Sequence, residues 1–297
     1  MTQIAPHRAT RVDFPGPGFP VAGWDASPPT GSRRGTALFV PGYTGSKEDF
    51  APLVDPLTDA GYRVVAIDQP GQFESPGPDS PLGYTVAWLA EVVRAVAAAL
   101  DDGPVHLVGH SFGGLVSRGA VLAAPGDFRS LTLLCSGPEA ILGARRDRMA
   151  RLEALLPLGM AAVYDAVEEG ARLDPKWREA SPELKAFLKK RFIASSAAGL
   201  RGMGDALGSE PDRTADLAAT GVPLLVCYGE HDDAWLPPVQ ADMARRLGAR
   251  HVVIQRAAHS PAIENTAETV FALERFWTAV DGDERAVSTS AVHTESQ

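Results

Sequence analysis

Residues 105–114 read Val-His-Leu-Val-Gly-His-Ser-Phe-Gly-Gly. A short apolar strand signal, 105–108, runs into a glycine-bounded serine. A helical pattern then carries on from Gly113 to Ala124 and stops at Pro125 and Gly126. Small residues at 109 and 113 let a strand and a helix approach across a tight turn. Such a turn lifts the Ser111 Oγ above the sheet edge at a helix N-terminus. A glycine-rich connector without chemistry is the competing reading. The strand before the serine and the helix after it favour a nucleophile.

Outward from this turn the same alternation repeats. Short apolar runs occupy 36–40 (TALFV), 63–67 (RVVAI), 131–135 (LTLLC), 224–228 (LLVCY) and 251–254 (HVVI), each stopped by Gly, Pro or a polar turn. Continuous apolarity, in place of strict alternation, means burial on both faces, as in a parallel sheet covered by helices. Between the runs lie helical stripes. Phe50, Leu53, Val54 and Leu57 form one, with Pro56 awkwardly inside it, and Leu89, Val93, Val96 and Leu100 form another. Val239, Met243 and Leu247 precede a Gly248 stop, and Val270, Leu273, Phe276, Trp277 and Val280 form the last stripe. The expectation is an α/β fold with a mostly parallel, doubly wound sheet. Two further strands are expected near 11–14 and 19–24.

One stretch breaks the alternation. Residues 139–213 hold no strand signal, only helical segments at 145–156, 160–173 and 182–197, followed by the glycine-punctuated 199–208. The expected organisation is a core of 1–138 and 214–280, a helical lid inserted at 139–213, and a disordered tail at 281–297, too polar to offset its ordering entropy.

The chain has 297 residues and a net charge of −9, which repels phosphate backbones, so no nucleic-acid partner is expected. Two cysteines, Cys135 and Cys227, are too few for a disulfide framework, and each ends an apolar run as a buried thiol would. No apolar run reaches the roughly 18 residues of a membrane span. The first fourteen residues lack a signal-peptide core, so the expected location is cytoplasmic.

With the Gly-His-Ser-Phe-Gly turn in this setting, the chain resembles the α/β-hydrolase superfamily, in its serine-nucleophile, esterase- or lipase-like form with a helical lid. The resemblance implies an order of serine, acid and histidine along the chain. The turn Tyr228-Gly229-Glu230-His231-Asp232-Asp233 follows the run LLVCY where the family carries its acid, and Asp232 fits that place, with Glu230 and Asp233 as rivals. His259, in Ala257-Ala258-His259-Ser260-Pro261 beyond HVVI, is the implied general base among seven histidines. The loop Pro41-Gly42-Tyr43-Thr44-Gly45-Ser46 follows TALFV and implies an oxyanion hole from the backbone N–H groups of Tyr43 and Phe112. Two departures stand out: Pro41 replaces a usual histidine, and Phe73 replaces the second glycine of a Gly-x-Gly-x-Ser turn. The segment 68–75 receives no chemical role.

The implied reaction is hydrolysis of a small-molecule carboxylic ester by Ser111, His259 and Asp232 through an acyl-enzyme, with no cofactor and no metal. The same triad also fits a lactone, thioester or carbon–carbon bond hydrolase or an acyltransferase, and a small-molecule receptor that uses the pocket without turnover is the reading from another class. Trp235, Met160, Met203 and Leu207 are candidate substrate walls, for each of which ordinary packing is the competing role. Arg145, Arg146, Arg148 and Arg151 suit either a solvated helix face or a carboxylate.

Overall fold

A computed structural model of the chain describes residues 2–29 and 33–294, with side chains described through residue 282. Eight strands form one sheet: β1 (Thr10–Phe14), β2 (Val21–Ala26), β3 (Gly35–Val40), β4 (Tyr62–Ile67), β5 (Val105–His110), β6 (Phe128–Leu134), β7 (Leu224–Gly229) and β8 (Arg250–Ile254). Their order across the sheet is β1-β2-β4-β3-β5-β6-β7-β8. β1 and β2 pair antiparallel from Thr10 opposite Asp25 to Phe14 opposite Val21, and β2 meets β4 antiparallel. Every later pairing is parallel.

The helices are α1 (Ala51–Asp59), α2 (Val86–Ala99), α3 (Phe112–Ala123), α4 (Gly143–Glu153), α5 (Met160–Ala171), α6 (Pro175–Glu179), α7 (Pro182–Ala194), α8 (Ala197–Leu207), α9 (Thr214–Ala218), α10 (Pro237–Leu247), α11 (Pro261–Glu264) and α12 (Thr266–Thr294). α1 carries Pro56 in its interior, α3 ends at the Pro125 turn, and α10 closes on Gly248 in the left-handed conformation.

The continuous apolar runs are explained by two cores. Leu38, Val40, Leu107, Leu131 and Val226 face one side, where α2, α3 and α10 pack. Ala37, Phe39, Val108, Leu225 and Cys227 face the other, against α1 and α12. Alternate residues of one strand thus fill opposite cores, as a sheet covered on both sides requires.

Helices α4–α8 lie between β6 and β7 and gather a small cluster of their own around Val163, Tyr164, Phe192 and Leu200. The 199–208 stretch, which showed no element in sequence, is α8. The tail boundary expected at residue 281 needs correction: Asp281 is buried and pairs with Arg129 and His106, so the folded body includes it. Residues 283–297 of that expected tail lie outside the residues whose side chains are described. Among the described residues, no helix is long and apolar enough to cross a membrane.

Candidate active site

Ser111 sits between β5 and α3 at φ 54°, ψ −121°, a left-handed conformation that costs a non-glycine residue of order 1–3 kcal/mol. Its backbone is held from both sides: Ser111 N–H donates to the Leu134 carbonyl at 2.9 Å, and Gly114 N–H donates to the Ser111 carbonyl at 2.9 Å. The flanking glycines are sterically required. A Cβ on Gly109 would lie 2.6 Å from Gly114 Cα, and one on Gly113 would lie 2.5 Å from the Pro41 carbonyl oxygen.

The structure brings His259 and Asp232 to this serine. His259 Nε2 lies 3.0 Å from Ser111 Oγ, and its Nδ1 lies 2.9 Å from Asp232 Oδ1. Asp232 follows β7 and is 2% exposed, so each of its lone pairs needs a partner. Ala234 N–H donates to Oδ1 at 2.9 Å and the Gln240 side chain donates to Oδ2 at 2.8 Å. Burial pushes the Asp232 carboxyl up, but His259 and these donors outweigh it and hold the group below the ordinary carboxylate range. The rivals point elsewhere: Asp233 pairs with Arg145 at 2.6 Å, and Glu230 pairs with His231 at 2.7 Å.

Three supports were not legible in the sequence. Gln240 is one. Glu264 is another: its Oε2 accepts from the N–H groups of Ala258 and Ser260, on either side of His259. His110 is the third, with Nε2 2.7 Å from the His259 carbonyl. A carbonyl only accepts, so this nitrogen carries the proton. Burial, and then the neighbouring His259, pulls the His110 imidazole down to about 4.

The loop after β3 faces the same point. A Cβ on Gly42 would meet Ser111 Cβ at 3.0 Å, so the loop backbone passes directly beside the serine. Among the described residues, neither Tyr43 N–H nor Phe112 N–H donates to a protein acceptor. A cavity of about 250 Å³ opens here, lined by Ser111, His259, Gly42 and Tyr43 from the core and by Arg145, Met149, Arg191 and Leu207 from the inserted helices. A second cavity of about 310 Å³ adjoins it through Tyr43, Arg145, Met149 and Arg191 and reaches Tyr164, Trp177 and Phe192.

Of the four candidate substrate walls, Leu207 lines the Ser111 cavity. Met160 and Met203 line a small neighbouring recess with Tyr43 and Thr44. Trp235 lines neither: it is buried against Gly137, and its indole N–H donates to the Glu139 carbonyl at 3.1 Å. Arg145 and Arg191 are the cavity's cations. Arg191 already bonds Ser46 Oγ and Asp49.

One group among the described residues, His110, Cys135 and His259, places potential metal-ligand atoms within 4.8 Å of one another. Its imidazoles are engaged as described, and burial pushes the Cys135 thiol well up, against the thiolate a metal needs. Both cysteines are free and buried, as their apolar runs led one to expect.

A mostly parallel sheet with a strained serine turn after β5, an acid after β7 and a histidine after β8 defines the alpha/beta hydrolase class of protein. The chain belongs to the alpha/beta hydrolase family, whose model matches residues 37–273. It is 27% identical over 243 residues to the pimeloyl-[acyl-carrier protein] methyl ester esterase of Aeromonas hydrophila, which spans 74% of this chain and 87% of that protein. Its fold is similar to a thermophilic esterase from Thermogutta terrifontis, with TM-score 0.76 and 23% identity over 92% of this chain and 100% of that one. The enol-lactonase from Burkholderia xenovorans LB400 also has TM-score 0.76 and 23% identity, over 90% and 100% of the two chains.

Proposed function

We propose that this protein hydrolyses small-molecule carboxylic esters through an acyl-enzyme on Ser111. The observation that carries the reading is the unbroken chain from Ser111 Oγ to His259 Nε2 at 3.0 Å and from His259 Nδ1 to Asp232 Oδ1 at 2.9 Å. His259 takes the Ser111 proton as Oγ attacks the ester carbonyl carbon. Asp232 accepts from the Nδ1–H, fixes the tautomer and stabilises the imidazolium. The N–H groups of Tyr43 and Phe112 receive the oxyanion; each such donor is worth about 3–4 kcal/mol in the transition state. His259 returns its proton to the departing alkoxide, and the alcohol leaves. Water then gives a proton to His259 as it attacks the acyl carbon. The intermediate collapses, the proton returns to Ser111 Oγ, and the acid is released.

Helices α4–α8 act in this reading as the lid and the outer wall of the pocket. The second cavity, with Tyr164, Trp177 and Phe192 in its lining, takes the apolar part of the ester. The esterase relative, 27% identical, supports ester chemistry at the triad.

Intact-mass measurement after treatment with a fluorophosphonate tests the proposal, run beside steady-state hydrolysis of p-nitrophenyl esters. The native protein should gain one adduct and turn over many equivalents of ester. Ser111→Ala should gain none and lose activity by about 10⁵–10⁶-fold. A folded native protein that takes no adduct and shows no turnover sinks the reading.

A further inference from the structure

The turn between β4 and α2, to which the sequence assigned no chemistry, lies against the loop that carries Tyr43. Two glutamine side chains from it donate into consecutive carbonyls: Gln69 Nε2 to Pro41 at 2.8 Å and Gln72 Nε2 to Gly42 at 2.8 Å. Both residues are buried, at 1% and 3% exposure. Gln72 Oε1 accepts from the Gln69 backbone N–H at 3.1 Å, which fixes the end of the amide that faces Gly42.

The Gly42–Tyr43 peptide is trans, so its C=O and N–H lie in one plane and point in opposite directions. A donor that holds the Gly42 carbonyl therefore sets the direction of Tyr43 N–H. Holding is needed because of what residue 42 is. The close approach to Ser111 favours glycine there, and glycine leaves the following peptide with little steric resistance to rotation. Tyr43 N–H has no protein acceptor among the described residues, so nothing restrains the peptide from that side. On the carbonyl side, Gly45 N–H at 3.0 Å comes from within the same loop, whereas Gln72 anchors it from outside.

We propose that Gln72, oriented by Gln69, is a positioning residue for the oxyanion hole: its amide locks the Gly42–Tyr43 peptide with the N–H toward the reacting carbonyl. This rests on the ester-hydrolase reading above. Catalysis would then depend on a side-chain amide that touches no substrate.

Gln72→Met keeps length and approximate volume and removes the donor. Its kcat on p-nitrophenyl esters should fall about 10–100-fold with KM within about threefold, since the lost stabilisation belongs to the transition state. Gln69→Met should act in the same direction by about 3–10-fold. A readout independent of turnover uses selective ¹⁵N-tyrosine labelling, which gives five amide signals. The Tyr43 signal is identified by its loss in Tyr43→Phe. In Gln72→Met that signal should shift or broaden while the other four stay in place. A folded Gln72→Met protein with native kcat and an unmoved Tyr43 amide overturns the proposal, and Gln69→Met gives the same test if Gln72→Met does not fold. If the native protein hydrolyses no ester, the functional reading fails first, and the Tyr43 amide still reports whether the clamp exists.

Discussion

His110 shows how a single position carries more than its motif suggests. As the variable residue of Gly-x-Ser-x-Gly it looks interchangeable, yet its ring donates to the His259 carbonyl and so fixes the backbone at His259. The bond joins positions 149 residues apart, so local sequence gives no sign of it. Desolvation, and then the neighbouring His259, pulls its imidazole down to about 4 in the folded protein from an ordinary 6.5. Between these values the unfolded chain holds a proton that the folded chain lacks, so unfolding takes up a proton and stability falls as pH drops from 6.5 toward 4. Above 6.5 this residue adds no pH dependence. Carboxylates held low, such as Asp232, add their own loss at still lower pH. Thermal midpoints between pH 4 and 7 should therefore decline toward acid in the native protein and decline less in His110→Gln. Parallel curves would remove His110 as the cause. Trp235 illustrates the opposite error. Three residues past Asp232 it seemed a pocket wall, but chain proximity does not say which way a side chain turns, and the bare face of Gly137 receives it.

At the level of elements, the inner strands β3 to β7 stand out in the sequence because the continuous apolar pattern that marks them is also what buries them. The candidate residues Ser111, Asp232 and His259 stand out in the sequence because each follows its own strand. Helix α8 was hidden for the converse reason. Its glycines lower helix propensity by about 1 kcal/mol each relative to alanine, so the sequence reads as punctuation. They are there for contact: a Cβ on Gly202 would meet the Pro81 carbonyl oxygen and lie 2.8 Å from Tyr84 Cβ. Two effects therefore oppose each other in Gly202→Ala. Helix propensity gains about 1 kcal/mol, while overpacking against backbone costs about 1–3 kcal/mol. Because a backbone carbonyl cannot swing aside as a flexible side chain can, the clash should win, and the urea midpoint should fall. A raised midpoint would mean that α8 slides freely over the 81–84 turn. Phe73 is a second element-scale departure. It keeps φ at 36°, where the related turn has glycine, and its ring packs edge-on against Phe187 of α7 at 5.9 Å with Lys47 Nζ 4.8 Å above it. Contact with the inserted helices thus offsets the strained backbone.

Across the whole molecule, two large cores flank the sheet, and the inserted helices own only a small third cluster. The four buried side chains of that cluster are joined by Met149 of α4 and by Met203 and Leu207 of α8, which pack into the first large core, and polar ties add to this attachment. Tyr43, which lines the Ser111 cavity, is one of these ties, since its hydroxyl donates to the Leu200 carbonyl at 3.0 Å. Ser196 N–H donates to the Gly71 carbonyl at 2.8 Å. Arg191 bonds Ser46 Oγ at 3.1 Å and Asp49 at 2.6 Å, with its side chain only 12% exposed. These ties end on the 42–49 and 71–73 loops, so motion of α7 and α8 bears directly on the loop that carries Tyr43. Removing Arg191 leaves the two main cores intact and loosens the insertion. In Arg191→Ala, amide hydrogen exchange across residues 182–207 should rise about tenfold or more, while β5 and α3 keep their protection. Global stability should fall by no more than about 1–3 kcal/mol, the range for a lost charged hydrogen bond. Exchange that rises equally in the sheet would show the insertion and core to be one cooperative unit. Exchange unchanged at 182–207 would show that the apolar cluster suffices to hold the insertion in place.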